Sequence, residues 1–261
     1  MPEKLDLHVY TNNSPNGHDK IAFLCEIAVR KGLRGVAFTD RCRPGSAADP
    51  DARRRIRHAY FDACKAKLLF FDSLSVFAGV ELEDARNAPG EAGAVLARRQ
   101  YDIVLASVSA EGAGSAAPAP GMTADAFRAF CGAYAAALCD TVAHTDFDAL
   151  SRLMAPLRAA CPEPAVFESA MLEPLGMLAE SGRSLEVNAR DLCGSERLRD
   201  LYLRLVAAFR SFGGENITLG SESSFHDELG EGLDLAAAAV KRLGFQQSAF
   251  YDRRIPYRID L

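Results

Sequence analysis

No stretch of the chain approaches the roughly 18 consecutive apolar residues that a membrane span needs. Its first residues also carry no basic segment leading into an apolar core. Neither a transmembrane helix nor a secretory leader is expected, which predicts a cytoplasmic protein without a membrane partner. Surplus positive charge is missing too: 30 Lys and Arg stand against 35 Asp and Glu, a net charge of −5. Clustered Lys and Arg hold phosphate backbones, so no nucleic-acid partner is expected. The one basic run, Arg53-Arg54-Arg55-Ile56-Arg57, lies in a helical pattern and reads as a solvated face.

Paired cysteines are absent as well. Cys25, Cys42, Cys64, Cys131, Cys139, Cys161 and Cys193 are odd in number, widely spaced and form no CxxC, which argues against a zinc knuckle or a redox dithiol. Most fall on apolar faces as small core residues; Cys42 follows Arg41, but no nearby base makes it a reactive thiol. No Walker lysine loop follows any strand, and Gly112-Ala113-Gly114 is not continued by a third glycine. A doubly wound nucleotide-binding sheet would therefore lack its phosphate loop. No G-x-S-x-G elbow accompanies a histidine.

What is present is 261 residues, 49% hydrophobic and 25% charged, enough to bury a large core in a single domain over residues 1–261. Strands are read at 5–11, 35–41, 76–83, 101–109, 141–146, 184–190 and 217–222. Between them lie amphipathic helices, including one with Ile21, Leu24, Cys25, Ala28 and Val29 on one face, and others capped by Thr123 and Ser195. A Pro/Gly/Ser loop follows Arg41, and helices are read at 51–69, 91–99, 149–160, 167–180 and 233–243. Residues 246–261 form a tail along the surface. Strands alternating with helices, without internal duplication, predict a parallel α/β fold. The segment 111–121, rich in Gly, Ala and Pro, is expected to be a mobile partial lid.

Polar residues recur at the ends of these strands. In the first strand Leu5, Leu7 and Val9 alternate with Asp6, His8 and Tyr10, so the two sets take opposite faces. The same phase gives Arg41, Glu81, Ser107, Ser109, His144, Asp146, Asn188, Arg190 and Glu222. All lie at C-terminal strand ends, where parallel barrels place their sites.

The residues Asp6-Leu7-His8-Val9-Tyr10-Thr11-Asn12-Asn13-Ser14-Pro15 resemble the opening motif of the polymerase-and-histidinol-phosphatase (PHP) family, D-L/G-H-x-H-T-x-x-S. The resemblance continues through Phe38-Thr39-Asp40, Gly79-Val80-Glu81, Ala143-His144, Leu185-Glu186-Val187-Asn188 and Leu219-Gly220-Ser221-Glu222, in order and over nearly the whole chain. Ser14-Pro15, Glu186-Val187-Asn188, Gly244-Phe245 and Arg254 look most like the histidinol-phosphate phosphatase branch. This resemblance implies a distorted (β/α)7 barrel, TIM-barrel-like, with metal-dependent phosphomonoester hydrolysis of a small molecule.

The chain departs from that pattern where the family has metal-ligating histidines. Tyr10, Asn16, Arg41, Ser109 and Ser224 stand there instead, while His8, Glu81 and His144 match and Glu222 replaces an aspartate. At most one divalent ion (zinc, manganese or iron), or none, is expected on His8, Glu81, Glu222 and Tyr10, with His144 as a further candidate ligand. His8, Glu81 and His144 are the candidate catalytic residues, with His18 and His226 as replacement ligands by loop shift. Arg41, Arg190 and Asn188 are expected to bind a small phosphorylated or anionic ligand, Arg41 also neutralising Glu81 and Glu222. Three functions stay open: an anion-binding barrel with weakened or lost catalysis, an active metal-dependent phosphomonoesterase, and a non-catalytic structural or partner-binding barrel.

Overall fold

The computed structural model describes residues 4–46, 51–97 and 99–261. Its strands are β1 (Leu5–Val9), β2 (Gly35–Phe38), β3 (Arg41–Cys42), β4 (Ser75–Glu83), β5 (Ile103–Ser107), β6 (Ala149–Leu150), β7 (Ser184–Asn188) and β8 (Ile217–Gly220). They pair in parallel in the order β1-β2-β4-β5-β6-β7-β8, with β3 resuming the path of β2 beside β4. β8 returns to β1 through a bridge between Val9 and Ser223, where the Tyr10 N–H donates to the Ser223 carbonyl at 3.0 Å. The result is the expected distorted (β/α)7 barrel, nearly closed.

Around it run α1 (Ile21–Arg30), α2 (Ala52–Leu69), α3 (Pro89–Leu96), α4 (Ala124–His144), α5 (Pro164–Glu180), α6 (Ala189–Leu192), α7 (Glu196–Ser211) and α8 (Leu233–Arg242). The Thr123 and Ser195 hydroxyls accept from the Ala126 and Leu198 N–H groups, the capping their positions predict. Ile21, Leu24, Cys25 and Ala28 of α1 are buried, and Gly213, at φ 90°, follows the end of α7.

Alternation along the strands divides the apolar residues between two cores. Val36, Val76, Val80, Leu82 and Val104 join Leu24, Phe127, Phe167 and Leu201 beneath the helices. Leu5, Leu7, Ala37, Phe77, Ile103, Leu105 and Ala149 form a second cluster with Ala249 and Tyr251. These last two belong to an antiparallel hairpin, β9 (Gln247–Asp252) and β10 (Ile255–Asp260). The C-terminal tail is thus a two-stranded plug on the end of the barrel opposite the site, where the Tyr251 hydroxyl lies 2.8 Å from Ser184 Oγ.

The first strand does not keep one phase. Asp6 pairs with Val36 but Val9 with Phe38, so β1 carries an extra residue, a bulge. A one-residue slip exchanges the faces, which is why Leu5 and Leu7 sit in the inner cluster while Val9 sits under the helices. Buried aspartates complete the seams where strands splay. Asp6 accepts from the Ser221 N–H (2.9 Å), Ser221 Oγ (2.6 Å) and the Gly230 N–H (2.9 Å). Asp40 accepts from Thr11 N–H, Asp102 from Ala78 N–H and Asp148 from Val104 N–H, at 2.7, 2.8 and 2.7 Å.

Three sequence expectations require correction. Residues 141–144 of the strand expected at 141–146 are the last turn of α4, because Phe127, Phe130, Tyr134, Leu138 and Val142 keep one buried helical face to that point. The true strand is Ala149–Leu150, where a helix was expected. The strand expected to reach Arg190 stops at Asn188, whose side chain caps α6 by accepting from the Arg190 N–H. The expected Pro/Gly/Ser loop falls partly on residues 47–50, and the expected 91–99 helix includes residue 98; both lie outside the described residues.

The Asp6→Ala variant should lose about 3–5 kcal/mol of unfolding free energy, because the Ser221 and Gly230 N–H groups lose their buried acceptor. Asp6→Asn, which keeps one acceptor oxygen, should lose less. Urea denaturation followed by circular dichroism checks both.

Candidate functional site

The bulge aims His8 and Tyr10 into the C-terminal mouth of the barrel, where four glutamates converge. Glu81 and Glu83 alternate along β4, Glu186 lies two residues before Asn188 on β7, and Glu222 follows β8. All four are buried. Isolated carboxylates could not remain ionised there, so each needs a cation or hydrogen-bond donors.

Arg152 reaches all four of them. Its Nη1 lies 2.8 Å from Glu83 Oε1 and 3.3 Å from Glu81 Oε1, its Nε donates to Glu222 Oε1 at 2.9 Å, and its backbone N–H donates to Glu186 Oε2 at 3.0 Å. Arg158, in the short turn after β6, donates to both oxygens of Glu222 and through Nε to Asp191 at 2.7 Å. Arg41 Nη1 and Arg43 Nη2 reach Glu83 at 3.0 and 2.6 Å. Asn188 Nδ2 donates to Glu222 Oε2 at 2.8 Å, the Tyr10 hydroxyl to Glu81 Oε2 at 2.6 Å, and Ser107 Oγ to Glu81 Oε1. His8 Nδ1 pairs with Glu186, and its Nε2 lies 3.4 Å from Glu81 Oε2. Gly220 makes this pair possible: a Cβ there would fall 2.5 Å from that of His8 and 2.9 Å from Glu186 Oε1.

The charges are layered. The glutamate side chains Glu81, Glu83 and Glu222 are 0–5% exposed, whereas Arg152, Arg41, Arg158 and Arg43 are 15%, 16%, 30% and 36% exposed. Burial alone would raise the Glu81 and Glu222 carboxyls. For Glu81 the Arg152, His8 and Arg41 charges outweigh it and hold the group well below the usual range; Arg158 and Arg152 hold Glu222 at about 2. Burial also opposes charge on His8, but Glu186 and Glu81 push it up to about 10, so it is an imidazolium at neutral pH. Asp84, Arg152 and Glu222 take positive φ values of 57°, 57° and 54°, so three non-glycine residues in left-handed backbone sit within one cluster.

The residues named from the sequence divide into two groups. His8, Tyr10, Glu81, Asn188, Glu222 and Ser107 meet in the cluster, and Arg41 joins it through Glu83 rather than through Glu81 and Glu222. His144 does not: it ends α4 with its side chain 73% exposed and bonded to Asp140. Asp146 pairs with Arg254 near the hairpin. Arg190 lies on α6, with its guanidinium 3.0 Å from Glu228 on the surface. Ser109 Oγ donates to Asp84 at 2.6 Å. His18 stacks on Phe225 and His226 pairs with Asp19, so neither enters the cluster. The expected lid segment is pinned at Gly112, whose N–H donates to Ser109 Oγ and whose carbonyl accepts from Arg86 and Asn87. Arg152, Arg158, Glu83 and Asp191 were not foreseen. Glu83 shares the phase of Glu81 and was there to be found; the two arginines follow a strand too short to show a period.

As it stands, the donor set does not fit a divalent ion. A metal ligand must offer a lone pair, and His8 has only Nε2 to offer, since its Nδ1 is held by Glu186. Both oxygens of Glu81 and of Glu222 already accept from guanidinium, hydroxyl or amide donors. Among the described residues no group of three or more His, Cys, Asp or Glu side chains is arranged as a metal site.

The family described as the PHP domain matches this chain over residues 6–190. Similar solved structures include histidinol phosphate phosphatase from Lactococcus lactis subsp. lactis Il1403, complexed with zinc, L-histidinol and phosphate. It gives a TM-score of 0.80 at 20% identity over 98% of this chain and 99% of that one. A candidate histidinol phosphatase from Listeria monocytogenes gives 0.64 at 13% identity over 89% of this chain and 99% of that one. No curated protein matches the chain.

Replacing Arg152 with methionine should lower stability at neutral pH by about 3–5 kcal/mol, since Glu81, Glu83 and Glu222 would be left buried beside too little positive charge. The depressed carboxylates stabilise the wild type above pH 4.5, their ordinary value, and lose that contribution as pH falls toward 2. The gap between wild type and variant should therefore narrow in acid. His8 has the opposite sign: its contribution is complete below pH 6.5 and fades as pH rises toward 10, so His8→Gln should cost more at pH 6 than near pH 10. Guanidinium denaturation from pH 3 to 10 would read both trends.

Proposed function

The chain belongs to the PHP domain family, and from that premise we propose that it is a histidinol phosphatase-like barrel whose own arginines hold the charge otherwise left to metal ions. It binds a small phosphorylated or anionic molecule at the strand C-termini, with metal-dependent hydrolysis weakened or lost. The observation behind this is the guanidinium of Arg152, bonded to Glu81, Glu83 and Glu222 at once. A divalent ion placed among the same carboxylates would have to expel that guanidinium and deprotonate His8. Without it, the activation of water and the clamping of a phosphoryl group that metal ions supply are lost.

Ligand binding needs neither. The exposed layer of the site is guanidinium and the carboxylates lie beneath it, so an anion meets positive charge first. Arg41 makes one hydrogen bond among the described residues, to Glu83, and the rest of its five N–H donors remain for a ligand. Asn188 orients Glu222 rather than the ligand. A phosphate or carboxylate bridging Arg41 and Arg152 is what these donors favour, and a small molecule is the partner, with no nucleic acid and no membrane.

Two measurements test this. Elemental analysis of protein purified without chelator should find well under one equivalent of zinc, manganese or iron per chain. Calorimetry should show inorganic phosphate or histidinol phosphate binding, weakened about tenfold in Arg41→Ala, the effect of losing one charge-assisted hydrogen bond of about 1.4 kcal/mol. Two or more tightly held metal equivalents with chelator-sensitive hydrolysis of p-nitrophenyl phosphate would make the chain an active metal-dependent phosphomonoesterase instead. Absence of binding by any phosphate would leave only a structural or partner-binding barrel.

A further inference from the structure

We infer that the groove between α2 and α3 is a second anion site, separate from the barrel mouth, which takes a compact chain of phosphoryl groups. The groove encloses about 440 Å³ and is lined by Arg53, Arg54 and Arg57 from α2 and by Arg99 with Ala94 and Val95 from the α3 side. That volume lies in the range of small-molecule sites. In a chain of net charge −5, four guanidiniums converge on one surface depression. Two carboxylates answer them: Glu91 pairs with Arg53, and Asp51 lies 3.7 Å from Arg54. Arg99 donates to the Val95 carbonyl, and Arg57 has no hydrogen bond or ion pair among the described residues. The walls therefore keep an uncompensated charge of about two, the arithmetic of four arginines and two acids.

The placement also leaves two features of α2 incompletely satisfied. Arg53 and Arg54 are each one turn from Arg57, and like charges at that spacing repel. At the N-terminus of α2 the N-cap Asp51 makes no side-chain capping hydrogen bond and the first turn after it holds no acidic residue, so the amides there still favour a further negative charge. Glu91 and Asp51 relieve part of that repulsion, and Arg57 is left without an acidic partner among the described residues. Successive phosphoryl groups relieve both defects, each meeting a guanidinium on an adjacent turn. Ile56 and Val95 are buried, so the floor is apolar and thin, and recognition rests on the phosphate chain shared by inorganic polyphosphate and nucleoside polyphosphates.

Calorimetry on the full chain with inorganic tripolyphosphate, ATP and adenosine tests this. Tripolyphosphate and ATP should bind, adenosine should not, and the affinity should fall steeply with added salt. Arg54→Ala/Arg57→Ala should weaken tripolyphosphate at least tenfold without lowering the melting temperature, while Arg41→Ala at the barrel mouth should weaken inorganic phosphate and lower tripolyphosphate affinity far less than the double variant does. ATP binding tighter than tripolyphosphate would make the occupant a nucleotide; equal affinity would make it the phosphate chain alone. No tripolyphosphate binding, an undiminished affinity in the double variant, or an equal loss in Arg41→Ala would each overturn the site.

Discussion

Four buried glutamates at one end of a barrel can stay ionised only if something positive sits among them, and in this protein it is Arg152. One guanidinium bridges Glu81, Glu83 and Glu222, while its own backbone N–H holds Glu186. The rest of the mouth follows from that contact. Glu81 is fixed, so Tyr10 and Ser107 can donate to it; Glu222 is fixed, so Arg158 and Asn188 can share it. Buried ion pairs of this kind add little net stability, because desolvation cancels much of the attraction, but they cost heavily when one partner is removed. Their effect here is to hold geometry, including the left-handed backbone of Arg152 and Glu222.

The barrel below is built to support that end. Its inner apolar cluster fills the opposite half and is sealed by the β9–β10 hairpin. Where neighbouring strands diverge, Asp6, Asp40, Asp102 and Asp148 take up the strand N–H groups that would otherwise be buried without an acceptor. A bulge in β1 then converts an apolar interior below into a polar one above, by shifting the phase of a single strand. Glycine at position 220 leaves the space that the His8–Glu186 pair occupies.

The family's relation to metals gives this arrangement its interest. The Lactococcus lactis structure holds zinc, while the present chain, on nearly the same fold, gathers arginine at its carboxylates. A guanidinium carries one charge in a planar fork, whereas a divalent ion carries two and accepts lone pairs.

The sequence by itself determined the barrel, its polar mouth and much of the cluster. Period-two alternation and capped amphipathic helices are local properties, and they placed His8, Tyr10, Glu81, Asn188 and Glu222 near the strand ends that the fold brings together. Tertiary structure decided what the pattern could not encode. β6 is two residues long, too short for any period, so Arg152 carried no signal, and His144, in an apolar helical run, was mistaken for the end of that strand. Asn188 could equally have continued β7 or capped a helix, and capping turned Arg190 outward to Glu228. Charges find partners by distance in space, not along the chain. Arg152 and Glu81 are 71 residues apart, and only closure of the barrel brings them within hydrogen-bond reach.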